Sequence, residues 1–201
     1  LSSELKKKSR LWILASRSFR DLPLHGLRLE NKTLIERWEM VQTHGILEMF
    51  KQKYVLPSKK ISFIRTLPES ARGLPLQGKE EKTLKSLFKR NFRLHTARNP
   101  ADFISIVNDN QDPLLHFSLH GLRNDDNHLL SGLFLSEKAI LYHEVANLDC
   151  KNKELVFINA CQSGGISATD GTTHWNGGIL SAFLLSGVRF GIAALHPVRD
   201  D

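Results

Sequence analysis

The sequence predicts an α/β domain with a mainly parallel sheet and helices on both faces, and three observations carry that expectation. Short apolar runs, rich in branched and aromatic residues, alternate with longer amphipathic stretches along a chain of 201 residues. Parallel strands need such intervening helices to return the chain in the same direction. No apolar run approaches the roughly 20 residues that span a bilayer, and two cysteines are too few for a disulfide scaffold.

The elements follow in order. LWILAS (11–16) reads as a strand. In 29–54, Leu34, Trp38, Val41 and Leu47 recur at helical spacing, with a break near Gly45. VLPSKK (55–60) is a linker, ISFIRT (61–66) a strand, KEEKTLKSLFKR (79–90) a helix and FRLHTA (92–97) a strand. Asn99-Pro100 opens a helix, with proline at its favoured first position. LLHFSLH (114–120) and GLFLS (132–136) are strands, and 136–147 a helix capped by Ser136. ELVFINA (154–160) is a strand, 177–187 a helix and VRFGIAAL (188–195) a final strand. An echo, LPLHGLRLENKTL (22–34) against LPLQGKEEKTL (74–84), suggests a duplicated unit. Residues 1–57 are therefore expected to form an extra strand–helix unit, a degenerate repeat or a linker to an upstream region, ahead of a core over 58–201.

Length and a hydrophobic content of 41% suit one substantial core. The basic start has too short an apolar part for a signal peptide, so the chain reads as cytoplasmic with no membrane association. The net charge of +7 hides an asymmetry. Residues 1–100 carry 22 Lys and Arg against 9 Asp and Glu, whereas 101–201 carry 6 against 12. Opposite signs suggest different partners for the two halves, though a charge run is more often a solvated face. CxxC and HExxH are absent, so neither a zinc site nor another metal is expected.

Cys161 raises the question of chemistry. It stands where the strand LVFINA gives way to QSGG, and His120-Gly121 ends the earlier strand HFSL. In an open parallel sheet, ligands gather outside the carboxyl ends of the strands. The two residues are 41 positions apart and the interval contains a helix, which suits a crossover between neighbouring parallel strands. Both side chains would then emerge at one edge. A thiol is mostly protonated at neutral pH and needs a nearby imidazole to favour the thiolate. Gly121 and Gly164-Gly165 leave backbone N–H groups open to a developing oxyanion. The bland alternative is that Cys161 is a small core residue. His116, on the same face as His120, reads as a core or flanking histidine, and Asp125, Asp126 and His128 as a solvated loop.

HFSLHG, then NACQSGG, then a glycine-bearing helix and SGVRFGIAALHPVRDD resemble the CHAT family of caspase-like cysteine peptidases, relatives of separase and gingipains. The resemblance covers roughly residues 61–201. It implies a caspase-like fold and a cysteine endopeptidase, with His120 as general base, Cys161 as nucleophile, and the Gly121 and Cys161 N–H groups as oxyanion hole. It implies no cofactor. It places Asp200 at the primary specificity pocket, where a carboxylate would favour a basic residue before the scissile bond. The partners it implies are a protein substrate and a regulatory tetratricopeptide-repeat region or partner complex, such as an RNA-guided effector, in regulated proteolysis serving defence. His196 stands where the family usually has tryptophan, and the chain ends before the family's further elements, so the core over 58–201 is expected to be C-terminally incomplete. The rival function is a catalytically inactive caspase-like scaffold in a larger assembly. Direct nucleic-acid binding is a distant third, because the basic half lacks interleaved aromatics.

Overall fold

Runs such as Ile61–Arg65 and Leu155–Asn159 carry side chains suited to a pleated, buried surface, and in the computed structural model they form one sheet. The structure describes residues 10–13, 24–42, 60–67, 74–124, 126–161, 163–164 and 178–194. The chain divides into two units, Leu1–Val55 and Leu56–Asp201.

In the first unit, β1 (Arg10–Ile13) pairs in parallel with β4 (Glu39–Gln42), and a bidentate Arg10–Glu39 ion pair joins their first residues at 2.8 Å. Between them, β2 (Arg28–Leu29) and β3 (Lys32–Thr33) form a small hairpin, with Glu30 in the left-handed region at φ 58°. One helical turn, α1 (Leu34–Arg37), follows. It starts where it does because Glu36 accepts hydrogen bonds from the Thr33 amide (2.6 Å) and hydroxyl (2.7 Å). The expected long helix over 29–54 is therefore corrected across its described part. Leu34 is helical, but Trp38 is extended and Val41 pairs with Trp12 on β1. Strand pairing overrode a helical spacing that only a few residues supported.

The second unit contains β5 (Ile61–Arg65), α2 (Gln77–Phe88), β6 (Phe92–Thr96), α3 (Pro100–Asp109) and β7 (Leu114–Ser118). After these come β8 (His120–Leu122), β9 (Gly132–Phe134), β10 (Ala139–Leu141), α4 (Tyr142–Ala146), β11 (Leu155–Asn159), α5 (Ile179–Leu185) and β12 (Phe190–Ala193). Five strands make a wholly parallel sheet in the order β6-β5-β7-β11-β12. Its centre is β7, held in register with Phe63 and Phe157 on either side of His116. The fold is α/β, as the alternation of elements predicts. The KTL of the sequence echo stands at the β3–α1 junction in one copy and in the middle of α2 in the other.

One face of the sheet is the apolar core. Leu115, Phe117, Val156 and Ile158 pack there against Phe103 and Val107 of α3, Val145 of α4 and Phe183 of α5. Phe117 stacks on Phe103 (5.2 Å between ring centroids) and on Phe183 (5.1 Å), all three fully buried. Each such ring contributes about 1.5–3 kcal/mol by leaving water. The opposite face meets α2 and sets polar residues beside Phe63 and Phe157. There Glu80 pairs with His116, and Glu81 with Arg65. Asn99 caps α3 by accepting from the Asp102 amide (3.0 Å), with Pro100 next, as expected.

The helix expected over 136–147 begins later. Ala139–Leu141 is a strand paired with β9, and α4 starts at Tyr142, with Glu144 reaching back to the Leu141 amide at 2.8 Å. Ser136 caps no helix; its hydroxyl accepts from the Leu67 amide. No helix among the described residues is long and apolar enough to cross a membrane.

Candidate active site

The site is built from the ends of β7 and β11, whose register pairs Ser118 with Asn159. The ladder runs one step further, since the Leu119 amide donates to the Asn159 carbonyl (3.2 Å). Leu119 and Ala160 are both buried in the apolar core. Successive side chains of a strand alternate faces. His120 and Cys161 each stand two residues beyond the Ser118–Asn159 pair, at matching positions past the ends of the two strands. Both are partly exposed.

His120 does not simply end the central strand. It opens β8, the edge of a three-stranded antiparallel sheet in which His120 pairs with Phe134 and Gly121 with Leu133. Its backbone is thus fixed by a second sheet as well as by β7. Gly121 has a different reason to be glycine than openness to substrate. A Cβ there would fall 2.0 Å from the Cys161 carbonyl oxygen and 3.1 Å from its carbon. Only glycine lets the backbone after His120 lie directly on the backbone of Cys161.

Cys161 occupies a tight turn. The Ser163 hydroxyl donates to the Ala160 carbonyl (2.8 Å), its amide reaches the same oxygen at 3.4 Å, and Ser163 is buried. The next residue anchors the turn sideways: the Gly164 amide donates to the Ala194 carbonyl just past β12 (2.9 Å). The Leu180 amide of α5 donates to the Ser163 carbonyl (3.0 Å). The thiol is thus presented on backbone held from three elements. Neither cysteine is in a disulfide.

Beneath the site lies a network absent from the sequence reading. Glu80 Oε1 meets His116 Nε2 at 2.7 Å and accepts from Asn159 Nδ2 at 3.0 Å. Burial opposes ionisation of Glu80, but its hydrogen bonds, that to His116 foremost, hold it below the ordinary carboxylate range. His116 is 8% exposed, stacked on Phe157 at 4.6 Å between centroids and tilted against Phe63 at 5.4 Å. This is the flanking histidine expected of it. Ser163 was visible in the sequence as the serine of ACQSG, whereas nothing in KEEK distinguishes Glu80 from a solvated helix charge.

Asp200, Gly165, His174, Trp175 and His196 lie outside the described residues, as does Asp125. Among the described residues, no group of three or more His, Cys, Asp or Glu is arranged to hold a metal ion.

The arrangement offers a thiol on a held turn, an imidazole on the adjacent strand end, and backbone between them at van der Waals contact. No curated protein matches the chain. The CHAT domain model matches residues 1–201, more than the stretch that carries the resemblance in sequence. The CHAT domain is associated with caspase-like cysteine peptidases, and this chain belongs to the CHAT-domain family.

Proposed function

We propose that the protein is a cysteine endopeptidase in which Cys161 attacks the scissile carbonyl and His120 accepts the thiol proton. The observation that carries this reading is the contact of Gly121 with the Cys161 backbone, which sets the two strand ends beside each other at the carboxyl edge of the sheet. His120, as general base, draws the proton from sulfur as the C–S bond forms and returns it to the leaving amine. Water, deprotonated by the same imidazole, then hydrolyses the thioester. The Gly121 and Cys161 N–H groups, both on this shared stretch of backbone, are the donors for the tetrahedral oxyanion.

The finer parts of the proposal follow the family. The substrate is a protein, and activity is released by a regulatory tetratricopeptide-repeat region or a partner complex, an RNA-guided effector being one such trigger, in regulated proteolysis serving defence in the cytoplasm. Asp200 is our choice for a carboxylate that selects lysine or arginine before the cut.

The test is a search for new protein termini in cells carrying the wild-type chain or Cys161→Ala. Termini that vanish with Cys161→Ala, and fall at least about a thousandfold in rate with either Cys161→Ala or His120→Ala, support the dyad. Either variant retaining activity within about tenfold of wild type removes it. A preference for basic residues that is unchanged in Asp200→Ala removes the pocket assignment alone.

A further inference from the structure

The chemistry proposed above depends on one separation, that between His120 and Cys161, and beneath the site side chains of the two hydrogen-bonded strands that bear them share one carboxylate oxygen. We propose that Glu80 is a positioning residue: its carboxylate clamps the carboxyl ends of β7 and β11 and thereby fixes the separation of His120 and Cys161. This inference rests on the reading of those two residues as the reacting pair.

Three observations carry it. Glu80 Oε1 binds His116, four residues before His120 on β7, and Asn159, two residues before Cys161 on β11. Two strand residues span about 6.6 Å, so along the chain the clamp lies one pleat before Cys161 and two before His120. The clamp is also rigid. His116 is sandwiched between Phe63 and Phe157, and Gln77, one turn before Glu80 on α2, donates to the Ser118 carbonyl at 2.7 Å. The first turn of α2 thus grips β7 twice and β11 once. A carboxylate in the first turn of a helix is also favoured by the helix dipole.

Arg65, register partner of Ser118, is bound to Glu81 of α2 at 2.5 Å. Glu80 is therefore the anionic group that directly bridges the two site-bearing strands among the described residues.

The test measures the alkylation of Cys161 by iodoacetamide as a function of pH, resolved from Cys150 by mass spectrometry. It compares the full chain with Glu80→Ala, Glu80→Gln, Asn159→Ala and His120→Ala, with circular dichroism reporting the folded fraction. A purely structural role would lower the folded fraction and leave the profile of folded molecules unchanged. The expected result is a midpoint in Glu80→Ala displaced about half a pH unit or more towards that of His120→Ala. Glu80→Gln, of equal length and still hydrogen-bonding, is expected to restore most of it. An unchanged profile in folded Glu80→Ala, alongside a shifted one in His120→Ala, overturns the clamp and leaves the pair standing. Profiles unchanged in every variant overturn both. If Glu80→Ala does not fold, Asn159→Ala releases β11 alone and decides the same question: a shift is expected, and its absence overturns the clamp.

Discussion

At the amino ends of the strands, Lys153, Asp112, Asn110 and Ser62 form a cluster closed to solvent, whereas at the carboxyl ends His120 and Cys161 stay partly open. The closed cluster is joined by its own hydrogen bonds, with Arg93 also reaching Asp112 at 3.5 Å. The Lys153 ammonium donates to the Asn110 carbonyl, and the Ser62 hydroxyl donates to Asp112 at 2.8 Å while accepting from the Asn110 amide group at 2.5 Å. Burial pulls the Lys153 pKa down, opposed by Cys150 and Asp112. The two cysteines repeat the contrast. Cys150 is fully buried in the apolar core, its thiol pushed up by burial, while Cys161 stands on a turn outside it. Buried polar groups on this sheet are satisfied by hydrogen bonds, whereas those left partly open are the pair to which the proposed function assigns the chemistry.

The largest effect is expected from unpairing the closed end. Asp112→Ala removes the buried carboxylate that accepts from the Ser62 hydroxyl and pairs with Arg93, and is expected to cost about 3 kcal/mol in urea denaturation. A loss under about 1 kcal/mol would mean that the cluster is not structural. At the open end, Gly121→Ala drives a Cβ to within 2.0 Å of the Cys161 carbonyl oxygen, so the backbone must move. A displacement near 1 Å in a reacting geometry costs on the order of a hundredfold in rate. Cleavage or Cys161 labelling within threefold of wild type would show that the close approach is unimportant.

The cysteines give a smaller effect. Cys150→Ser should leave activity unchanged and cost about 1 kcal/mol, because Ser186 can serve the new hydroxyl. In the native protein Cys150 should resist alkylation until denaturant is added; rapid native labelling at Cys150 would contradict its burial. The smallest effect is acid sensitivity at His95, 3.2 Å from the Ser62 hydroxyl. Burial lowers its pKa below the ordinary histidine value, against Asp112, which raises it. The unfolded chain therefore takes up the proton first as pH falls. The stability His95 contributes is complete above about pH 6.5 and is lost as pH falls through the lower folded value. Thermal melts of His95→Gln should show a flatter pH dependence in that window, and an identical slope would exclude His95 as a source.

Much of the second unit was legible because its apolar runs have one plausible burial each. Phe63, Phe117 and Ile158 could only be strand cores, and Asn99-Pro100 could only open a helix. The first unit shows the limit. Leu34, Trp38 and Val41 fit a helical period, yet Val41 belongs to a strand, because a short amphipathic stretch takes the structure of whatever pairs with it.

The alternating α/β plan and the candidate pair His120 and Cys161 can be read from the sequence alone. These depend on local pattern and on strand ends, which hydrophobic periodicity marks. Tertiary packing makes His120 open a second sheet, lays Gly121 on the Cys161 backbone, and joins His116 to Asn159 through Glu80. Each of those is a contact between residues about 12 to 80 positions apart, and its occurrence depends on register and helix docking, which no local stretch of sequence encodes.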